Sequence, residues 1–253
     1  MNLSQRIELE KAANDGGFEV IEPRLDGLVA LASSDVEARL IVSANDTGFL
    51  VSIYDAGLAR ELAAERRYEP GGPQTFLARR PENLAGLISR IWQLSRALPD
   101  APLKRFEDAL AHVGEEFHTE VEALVRRRLG QMEFRAGLLD YWQGRCAVTG
   151  IAQAELLRAS HIKPWAHCAN DAERLDVYNG FLLTADWDAA FDAGLVSFDT
   201  NGLAIYSPTL TEAARIRLGD GRLRGDRPLT DKHMQYLVWH STRVFIGQPT
   251  TSR

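Results

Sequence analysis

The segment from Arg158 to Phe198 constrains the fold more than any other, because it combines spaced polar side chains with clear secondary-structure patterns. Apolar alternation up to Ile162 predicts a strand, and the run from Trp187 to Ala193 predicts a short helix. Between them lies a polar loop that contains proline, and Asn179-Gly180 predicts a turn. A histidine, an asparagine and helical carboxylates are therefore expected to converge.

The polar side chains of this segment suit the hydrolysis of a phosphodiester bond. His161 can take a proton from water near neutral pH, because the unperturbed pKa of histidine is about 6.5. Asn179, Asp188 and Asp192 carry oxygens of the kind that Mg²⁺ or Mn²⁺ prefers, and the two aspartates share one face of the predicted helix. We therefore predict that His161, Asn179 and Asp188 are catalytic, and that Asn179, Asp188 and Asp192 bind a divalent metal.

The order and spacing of these residues resemble the HNH nucleases. Asp188 lies nine residues after Asn179, where the HNH pattern places its last histidine. Pro164-Trp165 and Arg174-Leu175-Asp176 also match, and the resemblance covers about Arg126 to Phe198. A histidine at a strand end and an Asn-Gly pair are usually structural when each occurs alone, but the combined spacing favours the HNH interpretation. The resemblance implies a ββα-metal fold and metal-dependent cleavage of DNA.

The sequence departs from the HNH pattern at two places. HNH relatives carry a histidine or aspartate just before the base as a metal ligand, whereas this chain has Ser160, which we include in the predicted ligand set. Many relatives also bind a structural zinc through paired Cys-x-x-Cys motifs, but Thr149-Gly150 stands where the partner of Cys146 would be. We therefore expect no structural zinc, with Cys146 as a small buried side chain and Cys168 as a loop thiol.

The charge distribution bears on nucleic-acid binding. A formal net charge of −6 argues against a broadly basic surface. Basic residues nevertheless outnumber acidic ones between Arg126 and Arg174. The run from Arg126 to Arg128 could be only a solvated helix face, but its place before the site favours phosphate contact. The predicted DNA-binding residues are Arg126, Arg127, Arg128, Arg135, Arg158, Lys163 and Arg174.

The length of 253 residues predicts two domains. Residues 1–100 should form an antiparallel meander of four strands with flanking helices, and Glu69 to Pro73 should form a loop. The break at Pro99 to Pro102 marks the boundary. Because residues 1–100 contain no histidine, cysteine or glycine-rich phosphate loop, we predict a DNA-recognition domain there. Residues 101–253 form the predicted nuclease domain, with its core at about 126–207.

The second half of the chain has a mainly helical pattern around the site. We expect helices from Leu103 to Trp142 with a break near Gly130, a hairpin around Thr200-Asn201-Gly202, and a closing helix from Asp231 to Ile246. His233 and His240 are expected at the surface of this last helix.

Taken together, the fold class is α+β, with an N-terminal mixed α/β recognition domain followed by a helix-wrapped ββα-metal nuclease domain. The architecture resembles modification-dependent, type IV-like restriction endonucleases, which implies double-stranded DNA with methylated or hydroxymethylated cytosine as substrate. A homodimer is expected, because cutting both strands usually needs two sites. No apolar run is long enough for a membrane span and no secretory signal is evident, so we expect a cytoplasmic protein.

Two alternatives remain open. One is a nucleic-acid-binding protein with an inactive HNH site. The other is a toxin-like nuclease whose N-terminal domain binds a protein partner.

Overall fold

A computed structural model describes residues 1–24, 26–98, 100–112, 119–224 and 229–247, and the side chains of all of these except residues 119–122. The chain divides into two units, Met1–Pro99 and Asp100–Arg253.

The first unit is built around a six-stranded antiparallel sheet of order β1-β2-β3-β4-β6-β5. Buried and partly exposed side chains alternate along its strands, as in Leu40 and Val42 against Ile41 and Ser43, so one face of the sheet forms the core. Its elements are α1 (Leu3–Asp15), β1 (Val20–Pro23), β2 (Val29–Ala32), β3 (Leu40–Asn45), β4 (Gly48–Ile53), α2 (Ala56–Ala64), β5 (Glu69–Gly72), β6 (Thr75–Ala78) and α3 (Pro81–Ala97).

The four-stranded meander predicted from the sequence is confirmed as β1 to β4. The loop predicted at Glu69 to Pro73 is wrong, because Glu69–Gly72 forms β5 and pairs with β6. β5 is an edge strand whose register shifts between Pro70 and Gly72. A proline is tolerated at such a position, since the strand lacks a neighbour on one side.

The second unit places two small antiparallel sheets among helices. β7 pairs with β8, and β9 pairs with β10. Its elements are α4 (Ala101–Ala111), α5 (Thr119–Tyr141), β7 (Leu157–His161), α6 (Asp171–Leu175), β8 (Gly180–Thr184), α7 (Ala185–Asp192), β9 (Val196–Phe198), β10 (Ala204–Tyr206), α8 (Glu212–Leu218) and α9 (Asp231–Arg243).

Helix α5 runs without interruption through Gly130, so the predicted break there is wrong. The glycine serves a close approach instead, because a Cβ atom at this position would lie 2.4 Å from Cη2 of Trp165. The predicted turn at Asn179-Gly180 differs slightly, since Asn179 ends a short 3₁₀ turn and Gly180 begins β8.

Helix α9 packs its two histidines inward, and their predicted surface position is wrong. His240 stacks on Phe191 with 3.9 Å between ring centroids, and its Nε2 lies 3.1 Å from the carbonyl oxygen of Phe191. His233 is also buried, with Nδ1 accepting from the backbone N–H of Thr230 at 3.2 Å. The hairpin β9–β10 lies where it was predicted. Among the described helices, none is long and apolar enough to cross a membrane.

Candidate functional site

The candidate site is built on β7, β8 and α7. The two strands form an antiparallel ladder from the pair Leu157 and Thr184 to the pair His161 and Gly180. α7 begins directly after β8 and packs against both strands. Consecutive side chains of a strand point to opposite faces, so Ser160 and His161 lie on opposite faces of β7.

His161 faces α5. Its ring is stacked on Phe134, with 3.7 Å between the centroids and 13° between the planes, and it meets Trp165 edge-on at 5.7 Å. Nε2 lies 2.9 Å from the carbonyl oxygen of Arg174, which can only accept, so Nε2 carries the proton of the neutral ring. Nδ1 makes no hydrogen bond to the described residues. The imidazole is therefore held in one orientation and one tautomer.

Burial lowers the pKa of His161 to about 4, against the opposing effect of the hydrogen bond to Arg174. The ring is therefore uncharged near pH 7, and Nδ1 has a lone pair that can accept a proton. Burial also makes the free imidazole a weaker base than an exposed histidine.

Ser160 faces α7 on the other side of β7. Its side chain is buried, and Oγ lies 3.4 Å from Oδ1 of Asp192. Asp188 lies one helical turn before Asp192, and burial raises the pKa of both carboxyl groups against the opposing effect of the Ser160 hydroxyl. The structure thus brings Ser160, Asp188 and Asp192 together, as the sequence predicted.

The two carboxyl groups are in an environment that disfavours two negative charges. Burial raises the pKa of Asp188, while Ser160 and Arg158 act in the opposite direction. Asp192 is exposed overall, but its carboxyl group is partly buried. This burial and the negative charge of Asp188 raise the pKa of Asp192 to about 6. A divalent cation between these oxygens would relieve the repulsion, so the donor set fits a hard metal ion.

The protein would supply only part of the coordination shell of such an ion. No group of three or more His, Cys, Asp or Glu side chains could hold a metal in the described part of the chain. Two carboxylates and a hydroxyl leave several positions for water or phosphate oxygens. This suits Mg²⁺ or Mn²⁺ better than a closed structural zinc site.

Asn179 is fully buried in the loop that joins β7 to β8. Its Oδ1 accepts from the backbone N–H of Lys163 at 2.8 Å, and its Nδ2 donates to the carbonyl oxygens of Lys163 at 3.2 Å and Glu173 at 3.1 Å. The backbone oxygen of Asn179 also accepts from Ile162 at 2.9 Å. These bonds favour a loop-positioning role over the metal-ligand role predicted from the sequence.

Three of the predicted DNA-binding residues form ion pairs with the loop helix α6. Arg126 and Arg174 both bind the carboxylate of Asp171, the latter at 2.8 Å, and Lys163 binds Glu173 at 2.6 Å. Their charges are partly offset before any ligand binds. Phosphate contact by these three would compete with the existing ion pairs.

Two further arginines bind backbone carbonyls near β7. Arg135 donates to the oxygens of Leu157 at 2.9 Å and Ala154 at 3.1 Å, and Arg158 donates to Glu155 at 2.9 Å. Arg127 and Arg128 are exposed on α5 and form no ion pair with the described residues. Arg127 and Arg128 are therefore the most available phosphate contacts among the predicted set.

Several residues around the site were not anticipated from the sequence. Phe134 supports the base, Arg174 acts through its backbone oxygen, and Arg217 lies 3.5 Å from Asp186 in the first turn of α7. Helix periodicity marks Phe134 as a core position but does not say which ring it meets. The hydrogen bond from His161 to Arg174 uses the backbone oxygen, which every residue type has, so the sequence cannot reveal it.

Both cysteines are buried. Cys146 accepts from the backbone N–H groups of Thr149 at 3.3 Å and Thr184 at 3.4 Å, which agrees with its predicted structural role. Cys168 lies in the loop between β7 and β8, as predicted, where it is only 5% exposed and accepts from Nδ2 of Asn179 at 3.4 Å.

Comparison with known protein families finds a match over the segment that forms this site. Residues 146–199 match the family model described as HNH endonuclease. The matched segment contains β7, β8 and α7, and hence His161, Asn179, Asp188 and Asp192. It supports the HNH superfamily and suggests a nuclease, which is a hydrolase. No curated protein matches the chain.

Proposed function

We propose that this protein is a metal-dependent DNA endonuclease. One observation carries the proposal: within the matched segment, His161 ends β7 directly after Ser160, whose hydroxyl lies 3.4 Å from Asp192 in the carboxylate pair of α7. The unit thus has both a proton acceptor and a place for a divalent cation.

His161 would act as the general base. Nδ1 takes a proton from the attacking water, while the Nε2 bond to Arg174 keeps the tautomer and stabilises the imidazolium that forms. The low pKa of the free site limits this step, but phosphate and a developing negative charge nearby favour the protonated ring.

Asp188 and Asp192 would hold the cation, with Ser160 orienting their oxygens by hydrogen bonding. A bound divalent cation supplies charge neutralisation at the phosphoryl and leaving oxygens. Asn179 keeps the loop against the end of β7 and so fixes the Arg174 carbonyl that orients His161. Arg127, Arg128 and Arg158 would contact phosphates around the scissile bond.

The finer assignment is a restriction enzyme that cuts DNA with modified cytosine. In this proposal the Met1–Pro99 unit recognises DNA, the second unit cuts it, and a homodimer cuts both strands. The composition of the first unit supports this division, since it has no histidine or cysteine to form a catalytic centre.

A plasmid cleavage assay tests both the metal-dependent cleavage and the preference for modified cytosine. Matched plasmids with unmodified, methylated or hydroxymethylated cytosine are incubated with the protein in Mg²⁺ or Mn²⁺, and in excess chelator. We expect cleavage only with metal, and faster on modified DNA. Cleavage of all three plasmids at the same rate would reject the modified-cytosine assignment, and equal cleavage in chelator would reject the metal mechanism.

One observation favours a second candidate, a nucleic-acid binder with an inactive site. Ser160 stands where a histidine or aspartate ligand is expected, so the cation would have one charged or imidazole donor fewer. DNA binding without cleavage of any plasmid, at metal concentrations high enough to saturate a weak site, would establish this alternative.

A further inference from the structure

The sheet of the first unit has one face that its helices do not cover. Buried residues such as Leu31 and Leu40 alternate with partly exposed ones, which are Ala30, Ala32 and Ile41. The register places Glu22 beside Ala30, and Ala30 beside Ile41. We call this side of the sheet the open face.

A shallow pocket lies on the open face, across β1, β2 and β3. Its lining includes the small side chains of Ala30 and Ala32 and the larger ones of Arg24, Arg39 and Tyr54. Its volume of about 50 Å³ has room for one or two groups the size of water. The pocket cannot enclose a nucleobase or a sugar, so an occupant must lie across the sheet.

The polar groups around this pocket are available to a ligand. Arg24 and Arg39 are both exposed, and neither side chain forms an ion pair or hydrogen bond with the described residues. Tyr54 is 66% exposed. The chain has an excess of acidic residues, with a net charge of −6, so an exposed arginine can easily find a carboxylate partner, as Arg79 does with Glu69. Arg24 and Arg39 have not done so among the described residues. Glu22 is the one acidic side chain in the pocket lining.

These side chains share a chemical preference. The planar guanidinium group binds phosphate oxygens through two parallel hydrogen bonds, and it stays charged at any physiological pH. An exposed tyrosine ring offers a flat surface on which a base can stack. The three residues flank strands of one sheet: Arg24 directly follows β1, Arg39 directly precedes β3 and Tyr54 directly follows β4.

We infer that the open face binds a nucleic-acid strand, with Arg24 and Arg39 on phosphate oxygens and Tyr54 against a base or sugar. The inference rests on the proposed DNA function and names the surface through which the first unit would bind. The first unit has no histidine or cysteine, and the sequence alone did not name the residues through which it would bind DNA. The open face supplies such residues.

The test uses the full chain carrying His161→Ala, so that DNA stays intact while binding is measured by fluorescence anisotropy. Arg24→Glu with Arg39→Glu should weaken binding of a labelled oligonucleotide at least tenfold. It should also reduce the slope of log affinity against log salt by roughly two, one for each lost phosphate contact. Tyr54→Ala should weaken binding about fivefold or more through lost stacking.

Arg60→Glu with Arg80→Glu is the matched control. Both arginines are exposed in the first unit, outside the pocket lining, and the pair changes the net charge equally. The control should bind as the parent protein does. The neutral pair Arg24→Gln with Arg39→Gln guards against misfolding by charge reversal, and circular dichroism melting checks each variant. A duplex and its separate strand are both measured, to show which form is preferred.

The outcomes separate this surface from the proposed nuclease activity. If the Arg24/Arg39 variants bind DNA as the Arg60/Arg80 control does, the open face is not the binding surface, whether or not the protein with intact His161 cuts. If they lose binding while no protein cuts, the surface stands and the nuclease activity fails. If poly-glutamate binds the open face as tightly as DNA does, the ligand is an acidic protein and the inference is overturned.

Discussion

The imidazole of His161 lies nearly parallel to the ring of Phe134, with 3.7 Å between the two centroids. The stack fixes the plane of the imidazole, and the hydrogen bond to the Arg174 carbonyl fixes its rotation and tautomer. A general base must hold its acceptor atom in one place relative to the attacking water. His240 is held in a similar way by Phe191, but its Nδ1 bonds to Ser197 and it lies outside the matched segment. His161 lies inside that segment, and its Nδ1 makes no hydrogen bond to the described residues, so it is the stronger candidate for the base.

The first prediction concerns the base. His161→Ala should reduce plasmid cleavage by a factor on the order of 10² to 10⁴, as expected for the loss of a general base. His167→Ala is the matched control, because His167 is an exposed histidine in the loop after β7 and its ring meets that of Trp239 at 5.2 Å. Nicking of supercoiled plasmid gives the rates. Wild-type cleavage by a folded His161→Ala protein would remove His161 from the mechanism.

The second prediction concerns the cation. Asp188→Ala or Asp192→Ala should lower cleavage, and raised Mn²⁺ or Mg²⁺ should restore part of it, because a lost ligand weakens metal affinity. Asp186→Ala is the control, since Asp186 lies on the same helix but pairs with Arg217. Mn²⁺ should also raise the melting temperature of the wild-type protein but not of the Asp188 variant. An equal shift in both proteins would contradict the assignment of Asp188.

The third prediction separates positioning from ligation at Asn179. Asn179→Ala removes a buried amide that bonds to Lys163 and Glu173, so it should lower the free energy of unfolding by about 2 kcal/mol or more. Cleavage should fall as well, and added metal should not restore it. Denaturant unfolding and metal titration are measured on the same variant. Rescue by Mn²⁺ with unchanged stability would return Asn179 to the ligand set.

The strand-strand-helix core of the site could be predicted because its signals are local. The alternation before Ile162, the polar loop and the spacing of Asp188 and Asp192 are each contained in a few neighbouring residues. The same holds for the meander and for the hairpin β9–β10. Short-range patterns of this kind specify which elements form and which side chains share a face.

The errors concern contacts between residues distant in sequence. Gly130 looks like a helix break, but it accommodates the ring of Trp165 from another element. Arg126, whose phosphate contact stays a prediction, pairs with Asp171, which is 45 residues away and which the sequence does not point to. His240 looks like a surface residue, yet Phe191 and Ser197 give it buried partners. Periodicity and charge cannot reveal such partners, because tertiary packing selects them.

The fourth prediction follows from the differing roles of the arginines. Arg127→Ala with Arg128→Ala should weaken DNA binding and reduce the salt slope by up to about two, with little change in stability, because both side chains are exposed and lack ion pairs among the described residues. Arg135→Ala should instead destabilise the fold, because Arg135 bonds to the carbonyls of Leu157 and Ala154. Anisotropy titrations and thermal melting distinguish the two effects. The reverse pattern would show that Arg135 is the phosphate contact.

The fifth prediction concerns pH and His240, which anchors α9 to the end of α7. Its Nε2–H donates to the Phe191 carbonyl, and in the neutral ring its Nδ1 accepts from the Ser197 hydroxyl at 3.2 Å. Burial lowers its pKa to about 4, against 6.5 for an exposed histidine. The unfolded chain therefore binds this proton more readily than the folded protein does.

The stability that depends on His240 is therefore fully present above about pH 6.5 and is lost as pH falls toward about 4, by at most about 3 kcal/mol. His240→Gln cannot titrate, so the difference in unfolding free energy between wild type and variant should shrink over this range. Tryptophan fluorescence in urea reports mainly the second unit, which holds four of the five tryptophans. Carboxylates titrate equally in both proteins and cancel in the difference. A difference that stays constant from neutral pH to about pH 4 would show that His240 does not carry this pH dependence.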